Sequence, residues 1–203
     1  AQTSSVAWLS LDAADNEPAR FWSYLIAALQ TVQPGLGETA LALLHAPQPL
    51  PPEAVITLLI NELARLESGL ALILDDFHLI QNPSIHAAFA FLLEHLPENL
   101  YLVLATRIDP PFPLARFRAR GQLVEVRAND LRFSPQEAGP FLRQVMGLEL
   151  TAGEVQALAG RTEGWAAGLQ LAALALQAQL SRMETNTAGD FLRAFTGSQV
   201  YIA

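Results

Sequence analysis

The chain has 203 residues, 51% of them hydrophobic and 16% charged, enough to bury a core without a disulfide or metal staple. Cysteine is absent, which excludes thiol catalysis, disulfide scaffolds and cysteine-ligated zinc or iron–sulfur sites. Twelve basic against twenty acidic residues leave a net charge of −8, a poor balance for a generic nucleic-acid binder.

All twelve basic residues are arginine. The lack of lysine excludes Schiff-base chemistry, a lysine general base and a phosphate loop of the G-x-x-x-x-G-K-[ST] kind. The apolar runs Leu70–Leu74 and Trp165–Leu176 are too short to span a bilayer, and the second is interrupted by Gln170. Residues 1–5 lack the charged-then-apolar order of a signal peptide. A cytoplasmic, membrane-free protein is expected. The start without methionine and the abrupt end at Tyr201-Ile202-Ala203 lead us to expect a piece of something longer.

In chain order, Val6–Leu11 reads as a short strand closing at Asp12. Asp15-Asn16-Glu17-Pro18 then opens a helix, and Phe21, Tyr24, Leu25, Ala28, Leu29 and Val32 follow helical spacing. Residues 33–52, with prolines at 34, 47, 49, 51 and 52, read as loop. A second helix carries Val55, Ile56, Leu59, Leu63 and Leu66. The apolar run 69–74 ends in Asp75-Asp76 and suits a strand buried on both faces of a parallel sheet. Asn82-Pro83 starts another helix, with Ile85, Phe89, Leu92, Leu93 and Leu96 on one side. Leu100–Ala105 reads as a second buried strand ending at Thr106-Arg107, and Leu123–Val126 as a third short strand of this series. Strands alternating with helices imply a parallel α/β sheet.

Beyond Leu131 the pattern is helical. Ser134-Pro135-Gln136-Glu137 and Thr151-Ala152-Gly153-Glu154 both have capping-box spacing. Thr162–Trp165 precedes a longer helix to about Leu180, whose run 165–176 reads as helix-bundle core. Residues 181–189 read as a polar linker and 190–195 as the start of an amphipathic piece. The expected organisation is an α/β core over 1–132, a helical subdomain over 133–180, and linker plus the start of another helical domain over 181–203.

Chemistry concentrates at two strand ends. In α/β sheets ligands sit at the carboxyl ends of strands. Carboxylates there suit phosphoryl chemistry, one holding Mg²⁺ and a second orienting the attacking water. Two acids after four apolar residues can equally cap a turn, so both readings of Asp75-Asp76 stand on this motif alone. Thr106-Arg107 ends the next predicted strand on the same edge, and an arginine fork suits phosphate oxygens; pairing with Asp109 in solvent is the plain alternative. His78 reads as a turn residue rather than a metal ligand. His86 and His95, nine apart on one expected helix, fall on roughly opposite faces, which argues against shared ligation. Six arginines between 107 and 132 read as a solvated connector, since no aromatic platform accompanies them.

Several segments together resemble the nucleotide-binding part of MalT-like transcription activators, which belong to the STAND class of signal-transduction ATPases and often end in a LuxR-type DNA-binding domain. They are Val6–Asp12 with Asp15–Phe21, Leu72–His78, Leu104–Arg107, Leu131–Ser134 and Glu163–Ala172. They cover nearly the whole chain in the family's order.

The resemblance implies a P-loop-NTPase-like parallel sheet flanked by helices and followed by an all-α lid to which Trp165 belongs. It implies Asp75 as the Walker B aspartate that positions Mg²⁺, Asp76 as the second acid associated with hydrolysis, and Thr106-Arg107 as a sensor motif whose arginine contacts the terminal phosphate. It further implies an ATP/ADP-dependent switch, a slow ATPase at most, that controls self-association and transcription, with DNA bound by a domain outside this chain. The alternative is a nucleotide-free scaffold for protein–protein interaction.

The family's Walker A loop has no counterpart here. Its amides and lysine make charge-assisted hydrogen bonds of about 1.5–3 kcal/mol each. Loss of about three or four such bonds approaches the ~8 kcal/mol of a micromolar complex. The chain alone is therefore expected to bind ATP weakly or not at all. In the family's sheet the Walker A strand is central, so unpaired strand edges are expected too, with Leu123–Val126 shifting inward or another chain filling the gap.

Overall fold

A computed structural model describes residues 5–47 and 50–182. The chain divides into two compact units, Ala1–Phe117 and Arg118–Ala203. The first unit has a parallel three-stranded sheet in the order β1-β2-β3, formed by β1 (Ser5–Ser10), β2 (Leu70–Asp75) and β3 (Leu100–Leu104). Among the described residues the second unit carries helices and no strand. The α/β class and the succeeding helical region are as the sequence implies.

The register aligns Ala7 with Leu72 and Leu72 with Leu102, and one residue on aligns Trp8 with Ile73 and Ile73 with Val103. The first row faces the core. There Ala7, Leu70, Leu72, Leu74 and Leu100 are buried against α1 (Pro18–Gln30), α3 (Pro52–Leu63) and α4 (Pro83–Glu94). The opposite row does not share that burial. Trp8, Tyr101 and Val103 are exposed there and Ile73 is half-buried, so β2 is not enclosed on both faces as its unbroken apolar run suggests. The helices named above give the physical reason, since their apolar stripes all feed one core. Such a run cannot by itself distinguish one covered face from two.

Each helix start has a local cause. Glu17 caps α1 by accepting from the Ala19 and Arg20 amides, with Pro18 in the first turn. Asn82 does the same for α4 through the Ser84 amide, followed by Pro83. Phe21, Trp22, Leu25, Ile26 and Leu29 form the buried stripe of α1, whereas Tyr24 lies outside it.

The stretch expected to be loop contains a helix, α2 (Glu38–Leu44). The prolines at 34 and 47 flank it rather than interrupt it. Gly37 supplies the left-handed entry at φ 74°, and a Cβ there would lie 2.9 Å from Ile26 Cγ2. Its amide donates to Glu62 Oε2 at 2.6 Å, which ties α2 to α3.

Leu123–Val126 forms no strand. The segment is irregular, with Val124 and Val126 exposed and Glu125 held by the guanidinium groups of Arg118 and Arg127. A run of four residues gains nothing as a strand unless an edge pairs with it. It does not move into the sheet, and among the described residues β3 pairs with β2 alone.

In the second unit α6 (Pro135–Pro140), α7 (Ala152–Arg161) and α8 (Ala166–Arg182) close around Ala138, Leu142, Leu158, Leu169, Ala172, Ala173 and Leu176. Helix α5 (Leu114–Ala119) precedes them, and one π-helical stretch, Phe141–Val145, continues α6 after Pro140. Both capping boxes form. Ser134 and Glu137 exchange bonds at the start of α6, as do Thr151 and Glu154 at the start of α7. The run 165–176 is bundle core except at its first residue, since Trp165 is exposed. The expected linker and amphipathic piece lie outside the described residues beyond Arg182.

Two stability predictions follow from this unit. Gly164 has φ +71°, and an added Cβ would sit 2.3 Å from the Phe133 carbonyl oxygen, a backbone atom that cannot swing away. Gly164→Ala should destabilise the unit by about 2–3 kcal/mol or more in urea unfolding.

Glu137 accepts from the Ser134 amide at 2.9 Å and its hydroxyl at 2.8 Å, and these bonds, the amide's first, hold its carboxyl below the ordinary 4.5. A lowered folded value means stability that is present above the unfolded value and is lost as pH falls. Wild type should weaken between about pH 5 and pH 3, and Glu137→Gln should show a flatter profile there.

Candidate functional site

The parallel sheet brings the ends of β2 and β3 to one edge. Asp75 is the last residue of β2, in register with Ser10, and its carbonyl accepts from the Leu11 amide at 3.1 Å. Its carboxylate Oδ1 accepts from the amide of the next residue, Asp76, at 2.9 Å. Asp76 adopts the left-handed conformation (φ 55°, ψ 34°), unusual for a residue with a Cβ and a mark of strain worth functional scrutiny.

Phe77 holds that turn down. Its amide donates to the Ala105 carbonyl at 3.0 Å, and its buried ring lies 5.2 Å from Phe89 and 5.7 Å from Phe112. The Asp76 carbonyl accepts from the Leu79 amide at 2.9 Å, closing a short 3₁₀ turn over Phe77–Leu79. The carboxylate of Asp76 thus stays half-exposed at the edge, with His78 Nδ1 3.8 Å from its Oδ1.

Thr106 and Arg107 follow β3 on the same side. The Thr106 hydroxyl donates to the Ile108 carbonyl at 2.8 Å, shaping the loop, and Arg107 is exposed. The four residues singled out from the sequence therefore sit at or just beyond the carboxyl ends of two hydrogen-bonded parallel strands. Two carboxylates and one exposed guanidinium there suit a metal-bound polyanion. No group of three or more metal-ligating side chains occurs among the described residues, so any ion here would take most of its ligands from water or the polyanion.

The other histidines are occupied locally. His86 Nε2 lies 2.8 Å from the Ile80 carbonyl, His95 Nδ1 2.9 Å from that of Phe91, and His45 Nε2 3.2 Å from Ser23 Oγ. The arginine-rich connector is paired too: Arg116 with Glu94 at 2.7 Å, Arg118 and Arg127 with Glu125, and Arg132 with Glu163 at 3.0 Å. Hydrogen bonds from Arg118, then Arg127, hold the Glu125 carboxyl below its ordinary range. A mostly apolar cleft of about 210 Å³ opens beside the starts of α1 and α4, near Glu17, Trp22, Val55 and Ser84. None of Asp75, Asp76, Thr106 and Arg107 lines it.

Asn16, read from the sequence only as part of a helix start, has a larger role. Its Nδ2 donates to the Leu79 carbonyl at 2.8 Å and the Ala13 carbonyl at 3.0 Å. Its Oδ1 accepts from the amides of Gln81 at 2.6 Å and Asn82 at 3.0 Å. Asn82 Nδ2 returns a bond to the Asn16 carbonyl at 2.8 Å. The two asparagines clasp the segment after β1 to the segment after Asp75-Asp76. Beside them the buried Asp15 accepts from the Asp12 amide at 2.9 Å and from Arg20 Nε at 2.8 Å, and the latter bond raises the Arg20 pKa. Asparagine just ahead of a proline helix start at both places, Asn16-Glu17-Pro18 and Asn82-Pro83, is the one local signal of the clasp.

No family model matches the chain. Curated proteins do. It is 40% identical over 174 residues to the HTH-type transcriptional regulator MalT of Yersinia enterocolitica, and 42% over 171 residues to that of Serratia proteamaculans. The chain is MalT-like. These alignments take in 86% and 84% of it, but it spans about a fifth of the length of either relative, 19% in each case. The MalT-like resemblance drawn from Leu72–His78 and the other segments is thereby shown. No helix among the described residues is long and apolar enough to cross a membrane.

The clasp yields a prediction. Asn16→Ala removes four side-chain hydrogen bonds at about 0.5–1.5 kcal/mol each. It should destabilise the first unit by roughly 2–4 kcal/mol in urea unfolding. Asn16→Asp, which keeps the two accepted bonds, should cost less.

Proposed function

We propose that the chain is part of a MalT-like transcriptional regulator in which nucleotide occupancy at the carboxyl edge of the sheet biases a conformational switch. The observation that carries this reading is the placement of Asp75, Asp76 and Arg107 at or just beyond the carboxyl ends of two adjacent parallel strands. The names of the relatives, both transcriptional regulators, supply the biological frame.

In this reading Asp75 holds Mg²⁺ directly or through water, Asp76 orients or deprotonates the attacking water, and Arg107 reads the terminal phosphate. Mg-ATP or Mg-ADP, when bound, brings the charge neutralisation and the scissile phosphoanhydride. The residues of this chain fit the acidic side of such a site. The half-exposed Asp76 carboxylate is a hydrogen-bond acceptor held by a rigid turn, and the exposed Arg107 is a planar hydrogen-bond donor suited to phosphate oxygens. The phosphate-cradling side is not provided by lysine, because the chain has none.

Switching, self-association and DNA binding belong to the whole regulator, with DNA held by a domain other than the described units. Nucleotide and inducer then act as coupled ligands of one two-state element. Self-association draws support from the edge of β3, which pairs with no strand among the described residues, and from the exposed Trp8, Tyr101 and Val103. A scaffold that keeps this fold for protein–protein contacts alone is the competing reading, favoured by the same exposed surface.

Titration calorimetry of Mg-ATP and Mg-ADP separates the two. We expect no binding to the 203-residue chain below about millimolar concentration and binding at about micromolar or tighter to the full-length regulator. Asp76→Ala in the full-length protein should abolish hydrolysis while leaving nucleotide bound. Binding to neither protein supports the scaffold, and tight binding to the short chain overturns the argument from the absent lysine.

A further inference from the structure

Helix α8 is apolar on two opposite faces. Leu169, Ala172, Ala173 and Leu176 are buried in the core of the second unit. Along the other side Ala167, Leu171, Leu174 and Ala178 recur at helical spacing. Leu171 is half-buried and the other three are exposed, Leu174 at 48%. None of the four belongs to the core of the unit, and no charged residue occurs between Ala167 and Ala178. A surface helix ordinarily turns a polar face to water, and a helix apolar on both sides is ordinarily covered on both.

The size of the stripe decides what kind of occupant it takes. Four side chains fall far short of the roughly 20–30 residues per side of a stable interface between free partners. A patch this small is covered by a segment already tethered beside it, whose local concentration is high.

The chain holds such a segment. After α8 come residues 183–189 and then Asp190-Phe191-Leu192-Arg193-Ala194-Phe195. These lie outside the described residues, and their pattern is read from the sequence. Phe191, Leu192 and Phe195 share one face at helical spacing, with Arg193 opposite. Residues 183–189 make a connection within the about 2–8 residues that commonly join antiparallel helices. The alanines at the two ends of the stripe leave room for aromatic rings beside the two leucines.

We propose that residues 190–195 fold back along α8, where Phe191, Leu192 and Phe195 cover the stripe of Ala167, Leu171, Leu174 and Ala178. A chain pinned there leaves the second unit in one direction, so movement of the unit is passed along the chain, which a free tether does not do. The contact does not depend on the nucleotide reading.

The chain has no cysteine, so a single introduced thiol reports alone. In the 203-residue chain, Leu174→Cys should react with a maleimide about tenfold more slowly than Gln156→Cys, an exposed position on α7. Adding Phe191→Asp and Phe195→Asp should bring Leu174→Cys to the Gln156→Cys rate, at every protein concentration. The same pair should leave a thiol at the buried Leu169, in Leu169→Cys, protected. Equal rates for Leu174→Cys and Gln156→Cys without the aspartates show an open face and overturn the proposal. Protection that survives both aspartates assigns the face to another part of the unit, and protection that fades on dilution assigns it to a second copy; either result overturns it. Reaction of Leu169→Cys in the aspartate background makes Phe191 and Phe195 part of the core rather than a cover for the stripe, and overturns it too.

Discussion

The parallel register of the three strands is the constraint from which the candidate site follows. Because β1, β2 and β3 all run the same way, every strand delivers its carboxyl end to one edge, and every following loop begins there. The ladder continues past the last paired residues. Leu11 donates to Asp75 on one side of β2, Ala105 donates to Leu74 on the other, and Phe77 donates back to Ala105. The left-handed Asp76 lies between these stitches. Such a conformation costs most residues with a Cβ roughly 1–2 kcal/mol, and aspartate less. Burial of Phe77 offsets it, since a buried aromatic contributes about that much or more.

The same edge is closed from a second direction. A turn held by one strand alone would be free to rotate about it. Asn16 prevents this by bonding the loop after β1 to residues 79, 81 and 82. Asp15 stands next to it, buried and neutralised by Arg20 at 2.8 Å, so a charge sits inside the clasp at little cost. Rigidity at Asp76 thus depends on residues sixty positions earlier in the chain. Mutations there should act on the site through stability and geometry, with no contact to a ligand.

How far the sequence alone reaches is decided by what kind of signal each element carries. The strands 70–75 and 100–104, the helices α1, α3 and α4, and both capping boxes are encoded by local apolar runs, spacing and caps, and all form. The positions of Asp75, Asp76, Thr106 and Arg107 at one edge followed from strand alternation. Three features rest on tertiary contacts instead. Helix α2 depends on Gly37 packing against Ile26 and bonding Glu62, in a stretch whose prolines suggest loop. Leu123–Val126 has strand composition but pairs with no strand among the described residues, and its glutamate is drawn to arginines. The open face of the sheet carries the same residue types as the closed one, so burial there cannot be read from hydrophobicity.

Charge sets the last condition on function. Two adjacent carboxylates at the edge repel a phosphate, and one exposed arginine at the end of β3 does not reverse that. A polyanion is attracted only once a divalent cation covers the acids and further donors meet the phosphates. On these charges alone the carboxyl edge of this sheet supplies little affinity for a polyanion. Affinity has to come from backbone amides or cations on other elements. In the proposed nucleotide reading this edge then acts on a phosphate it does not itself attract, Arg107 reading the terminal group and Asp76 aiming the water.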